Sequence, residues 1–223
     1  MRRTRRRRGD SKEEWHMKNR HLDTRTLTGA ALLTAVVVVL QLLGSFIRFG
    51  PFSISLVLVP IVVGAALYGC WVGCWLGFVF GIVVVLQPDT GFFMNYSPLT
   101  TVLICLLKGA LAGLCSGLVY KALSRFDIQI LLMAKGKEKW GAELAVIAAG
   151  IVCPVVNSGI FFLGCVLFFI PLIESTLAAP GEGVKFVLLG MIGGNFLFEV
   201  LFNLILSPVI VRLIRIGSSK IRK

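Results

Sequence analysis

Six apolar stretches separated by short polar intervals fill most of the chain, at residues 27–47, 55–68, 71–87, 99–123, 142–170 and 186–214. Several approach or exceed the roughly 18 apolar residues that carry a helix across a bilayer. The second is short by that measure. Pro60 falls inside the second stretch and Pro154 inside the fifth, so a kink is expected at either, as membrane neighbours tolerate. One polar pattern interrupts the last stretch. Asn195, Glu199 and Asn203 recur every four residues, which places their side chains on one helical face. Facing lipid, an ionisable residue at mid-membrane costs ~2.5–3.5 kcal/mol. The stripe is therefore expected to face protein, either as hydrogen-bonding glue between helices or as the wall of a solute site.

Composition agrees with a membrane setting. Of 223 residues, 57% are hydrophobic and 15% charged, whereas soluble domains hold about 45–50% apolar residues. The expected fold class is an all-α integral membrane protein with six transmembrane helices. Its 23 Lys and Arg residues orient the array. Ten precede the first stretch, five lie at the end of the fourth or between it and the fifth, and five end the chain. With six spans these three regions share a side, and the positive-inside rule makes that side, with both termini, cytoplasmic. The expected organisation is a basic tail over 1–23, a six-helix domain over 24–215 and a second basic tail over 216–223.

The arginine-rich start suits a tail beside anionic lipid, and no nucleic-acid partner is expected. Met17 offers a second start, which would make residues 1–16 an extension. The first stretch is longer than the core of a cleaved signal peptide, so none is expected. Five of the six cysteines fall within the apolar stretches and Cys70 borders one, without a CxxC pair, and both histidines, His16 and His21, precede them. Neither a metal site nor a histidine-based hydrolase is expected. The absence of a GxxxxGK[ST] loop argues against ATP hydrolysis by this chain.

Small residues recur at helical spacing. Gly69, Gly73, Gly77 and Gly81 form one series, Gly109, Gly113 and Gly117 another, and Ala31 and Ala35 a short third. Such faces let helices approach closely. The first two are read as packing seams, and the third as a seat for a neighbouring helix of this chain or for a partner subunit. Trp71, Trp75 and Trp140 are read as interfacial belt residues.

These features together resemble the substrate-binding S component of energy-coupling factor (ECF) vitamin transporters. The resemblance is carried by Ala31 and Ala35, by the run Phe52–Gly69 with Pro60 and Gly64, by the Gly73–Gly81 series, by Pro154, Asn157, Gly159 and Gly164, and by Asn195 and Glu199. It covers residues 24–215. It implies a specificity subunit without catalytic residues or cofactors, in a bacterial cell membrane. Such a subunit captures a water-soluble vitamin or related micronutrient at its outward face. It docks on a membrane coupling (T) protein and two cytoplasmic ATPase subunits, and delivers solute by toppling within the bilayer. Ala31 and Ala35 become the candidate docking residues. The alternative is a membrane scaffold or assembly protein without a ligand, and a small intramembrane enzyme is a third reading.

The resemblance also implies an outward site walled by the fourth to sixth helices and covered by loops. The loop at 87–98 would supply Asn95 and Tyr96. Asn157 could line the cavity or bond across to the last helix. Asn195 is expected to face solute and Asn203 to be structural. Glu199 bonds solute or pairs with Lys108, and Lys108 in turn pairs with Glu199 or meets an anionic solute. Arg48 is an interface anchor or an attractor of carboxylates. A carboxylate such as pantothenate or folate would use Lys108 or Arg48, and a neutral heterocycle Asn157, Asn195 and Glu199; pantothenate is the favoured solute.

Overall fold

A computed structural model describes residues 24–45, 48–49, 52–53, 56–125 and 138–221. Apart from one two-residue strand pair, the described chain is helical. In order come α1 (Thr24–Gly44), the pair β1 (Arg48–Phe49) and β2 (Phe52–Ser53), α2 (Leu58–Tyr68), α3 (Cys70–Val85), α4 (Pro88–Tyr96), α5 (Pro98–Arg125) and α6 (Glu138–Gly164). The chain then runs through a π-helical turn over Cys165–Phe169, α7 (Ile170–Thr176), α8 (Gly183–Phe186), a second π-helical turn over Val187–Gly193, and α9 (Gly194–Ile221). The tail over 1–23 and the Arg48 side chain lie outside the described residues.

Each apolar stretch corresponds to a helix, but their lengths differ from expectation. Thr24–Gly44, Pro98–Ser124, Leu144–Thr176 and Gly183–Ile214 are long and apolar enough to cross a membrane. Cys70–Val85 with Pro88–Tyr96 adds a fifth such run if that pair, bent by 79°, is taken as one. At 11 residues α2 is shorter. Pro60 is the third residue of α2, in the first turn, where a missing N–H removes no intrahelical bond. Pro154 lies within α6, and Pro208 lies likewise within α9.

Burial is inverted relative to a water-soluble bundle. Leu32, Leu167, Leu197 and Ile205 are exposed, while Gln41, Asn157, Glu199 and Asn203 are buried. Apolar residues spread over the outer surface of long helices, with polar groups inside, are what a lipid solvent selects. This is a multi-pass membrane protein.

The glycine series define the tightest contact. Gly73 faces Gly113, Gly77 faces Gly109, and Gly81 faces Cys105, so α3 and α5 run antiparallel in backbone contact. A Cβ on Gly73 would lie 2.6 Å from the Gly113 carbonyl oxygen, and one on Gly77 would collide with the Gly109 carbonyl. The two stripes are each other's partner. Gly69 does not belong to the seam. Its φ of 101° ends α2 and turns the chain into α3, a conformation that suits glycine, and nothing lies within 4 Å of the place of its Cβ.

Two apolar clusters fill the interior. The larger centres on Val37, Ile61, Leu76, Phe80, Ala149 and Ile210. The smaller gathers Phe93, Ile104, Cys165, Phe169, Met191 and Ile192 at the end where α1 and α3 finish and α5 begins. Between α6 and α9, the Asn203 amide donates to the Gly150 carbonyl at 2.9 Å. Asn203 is thus the interhelical glue that the stripe suggested.

Candidate functional site

A cavity opens against the smaller apolar cluster. It has a volume of about 80 Å³ measured at water centres. One water needs roughly 10–15 Å³ on that scale, so this is room for a small solute and not a packing defect. Every long helix except α2 contributes. Gln41 comes from the end of α1, Gln87 from the α3–α4 junction, and Asp89, Thr90 and Phe93 from α4. On α5, Thr101, Cys105 and Lys108 follow each other at spacings of four and three, one helical face. On α6, Asn157, Ser158 and Phe161 line the wall, and α9 supplies Asn195 and Glu199 four residues apart. Phe169 stands in the first π-turn, and Met191 and Ile192 in the second. A π-turn inserts one extra residue into the helical path, a feature frequent at functional sites. Here both insertions aim apolar side chains into the same space.

The polar wall is unusual in one respect. Among the described residues, five buried side-chain atoms lack any hydrogen-bond partner: Gln41 Oε1, Asn157 Oδ1, Asn195 Oδ1 and both Glu199 carboxylate oxygens. All five belong to residues of this cavity. A buried acceptor left without a donor costs ~1–3 kcal/mol, and more when charged. Elsewhere in the described interior such groups are satisfied, as Asn203 is. Asn157 lies beside Glu199, yet neither Glu199 oxygen has hydrogen-bond geometry to it. Lys108 is also within electrostatic reach of Glu199, but no donor, Lys108 included, bonds the carboxylate. Instead the ammonium sits over two aromatic faces, 4.8 Å from the Phe161 ring centroid and 5.9 Å from that of Phe80, a favourable cation–π arrangement.

The cavity rim is held by a reciprocal amide pair. Gln41 Nε2 donates to Gln87 Oε1 at 3.0 Å, and Gln87 Nε2 donates to the Gln41 carbonyl at 3.1 Å. Both residues are buried. Thr90 Oγ1 donates back to the Val84 carbonyl at 2.6 Å, closing the end of α3. The pair and the threonine fix the sharp bend between α3 and α4.

Of the residues singled out from the sequence, Lys108, Asn157, Asn195 and Glu199 meet at this cavity. Asn95 and Tyr96 are exposed on α4 and are not part of its lining, although the Tyr96 ring lies 6.1 Å from that of Phe169. The expected loop at 87–98 is mostly helix, since Pro88 opens α4 and Asp89 stands in its first turn, both favourable at a helix N-terminus. Gln87, Thr90 and Phe93 come from the segment at 87–98 expected to cover the site, whereas Gln41, Thr101 and Phe169, whose ring centroid is 4.9 Å from that of Phe93, were not foreseen as lining. For Gln41 a signal existed: it is the only polar side chain between Val36 and Leu43. Ala31 and Ala35 lie exposed on α1, beside the exposed Leu32 and Val39.

Comparison with known proteins is consistent with this architecture. The family model "ECF transporter, substrate-specific component" matches residues 25–211. No curated protein matches the chain. Among solved structures, ThiT from Listeria monocytogenes aligns with a TM-score of 0.61 and 23% sequence identity, over 85% of this chain and 96% of that one. The likeness shows a shared fold. A multi-pass helical chain with an internal cavity, matched by the family over most of its length, is a member of the ECF transporter substrate-specific component family.

Proposed function

We propose that the chain is the specificity subunit of an ECF-type, ATP-driven importer in a bacterial cell membrane, binding a water-soluble vitamin or related micronutrient. The observation that carries this reading is the single cavity where all five orphaned acceptors of the described interior converge. In this reading the membrane is crossed six times with both termini in the cytoplasm. The cavity then lies at the outward end, because Gln41 stands near the end of α1 remote from the N-terminus. Solute enters from outside, and ATP is hydrolysed by two partner subunits reached through the coupling protein. Ala31 and Ala35 offer that protein a shallow, close-approach face on α1.

Asn157, Asn195 and Glu199 bind solute in this scheme, Lys108 contributes its charge, and Phe93, Phe161 and Phe169 exclude water. Asn95, Tyr96 and Arg48 act at the outer rim, during capture. Pantothenate, favoured on the strength of Lys108 and Arg48, meets a described wall with two acidic side chains, Asp89 and Glu199, against one basic one.

The test is a thermal-shift screen of the purified chain against water-soluble vitamins and nucleobase precursors. A ligand that binds only the folded state, at a hundred times its Kd, stabilises by about 2.7 kcal/mol. For a chain of this size that is a rise in Tm of about 5–11 °C, at roughly 2–4 °C per kcal/mol. One or a few solutes should give it. A flat response across the whole panel would favour the scaffold.

A further inference from the structure

The orphaned atoms are all acceptors. Gln41 Oε1, Asn157 Oδ1, Asn195 Oδ1 and the two Glu199 oxygens ask for N–H or O–H groups. Three of the four residues, Gln41, Asn157 and Glu199, are at least nine-tenths buried, so bulk water is not their ready partner. The one ammonium in the wall is directed at aromatic rings and not at these oxygens. The apolar part of the wall is aromatic too: Phe93 meets Phe161 and Phe169 edge to face, with centroids 6.0 and 4.9 Å apart.

The geometry points to a neutral or cationic ring bearing amine or amide N–H donors as the solute, held by Gln41, Asn157, Asn195 and Glu199, and not to a carboxylate-bearing one. This rests on the solute-binding reading above and narrows its substrate class. A carboxylate would bring further acceptors to a wall whose orphaned atoms are already acceptors. A ring with donors satisfies the orphaned oxygens, and its faces pack against the phenylalanines. Discrimination follows from the same pairing. A site whose buried groups are built for hydrogen bonding rejects analogues that lack the matching donors far more strongly than an apolar pocket rejects a missing methylene. Gln41 gains a role from its place on α1, contacting solute from outside the set of α5, α6 and α9.

The test uses the purified full chain and two sets of probes. Thiamine, pyridoxamine, cytosine, adenine and guanine present N–H donors on neutral or cationic rings. Pantothenate, biotin and nicotinate carry a carboxylate. At least one probe of the first set should raise Tm and bind submicromolarly by calorimetry, with none of the second doing so. Stabilisation by the carboxylates alone would overturn the proposed class while leaving the importer reading intact. Silence from every probe would overturn the proposed class, and silence from the whole vitamin panel as well would overturn the importer reading. For the probe that binds, Glu199→Gln, which keeps the shape and replaces one acceptor oxygen by an N–H donor, should weaken affinity at least tenfold. Unweakened binding by a folded Glu199→Gln chain would overturn the contact. Should that variant not fold, the two probe sets on the native chain still decide.

Discussion

Substituting Gly77 by alanine probes the seam between α3 and α5. The added Cβ would collide with the Gly109 carbonyl, and a Cβ on Gly109 would reciprocally meet the carbonyl of Gly77. The obstacle is backbone within a helix, so no rotamer change relieves it, and the helices must separate. Overpacking of this kind costs ~1–3 kcal/mol, and a rigid obstacle puts the cost near the upper end, at ~2–3 kcal/mol. Alanine recovers ~1 kcal/mol over glycine in a helix interior. The net loss is thus ~1–2 kcal/mol, a fall in Tm of about 2–8 °C for a chain of this size. Gly159→Ala is the internal control. Gly159 lies within α6 with nothing within 4 Å of its added Cβ, so it should gain helix propensity alone, and its Tm should hold or rise. Thermal unfolding in detergent, followed by intrinsic fluorescence, compares the two. A Gly77→Ala chain melting at or above Gly159→Ala would refute the close-contact argument, since both carry the same chemical change.

Asn203→Leu removes the donor to the Gly150 carbonyl, and should lower stability by ~1–2 kcal/mol while solute affinity stays within twofold, because Asn203 is not in the cavity wall; a large loss of affinity in calorimetry would move it into the site. Ala31→Phe and Ala35→Phe place bulk on the exposed face of α1, and should abolish uptake in cells while purified protein still binds solute; normal uptake would remove the docking role. With the six native cysteines replaced, a cysteine introduced at the exposed position of Ala179 should react with a membrane-impermeant thiol reagent added to intact cells. Labelling only after lysis would reverse the orientation given to the cavity.

The sequence showed where helices form because apolar stretches are local and lipid rewards their length. It also showed that the stripe Asn195–Glu199–Asn203 faces inward, since its spacing is local too. It did not show how that stripe divides. Asn203 meets a backbone carbonyl 53 residues away, while Glu199 enters a cavity, and both outcomes depend on which helix stands opposite. The Gln41–Gln87 pair spans 46 residues and was invisible for the same reason. The two π-turns were hidden differently. An extra residue in a helix shifts the register of everything beyond it, so a regular period read across 165–169 or 187–193 assigns faces wrongly. The segment at 88–96 reads as a loop because Pro88, Asp89, Gly91 and Asn95 are turn formers, although a proline followed by an acid also opens a helix.

The reciprocal bond between Gln41 and Gln87 has a consequence for energy transfer. Gln41 stands on an unbroken 21-residue helix, about 15 Å along its axis from Ala31 at 1.5 Å per residue. A rod this short transmits tilt and rotation almost undiminished. A force applied at Ala31 is therefore felt at Gln41, and through its partner at the bend over the cavity. If the coupling protein docks there as proposed, work done on the far end of α1 would loosen a solute that this subunit never touches. Thermodynamic reciprocity then fixes the converse: if a partner engaged at Ala31 and Ala35 weakens solute binding by some factor, solute weakens that partner's grip by the same factor. An empty chain and a loaded one would then compete unequally for a common coupling protein.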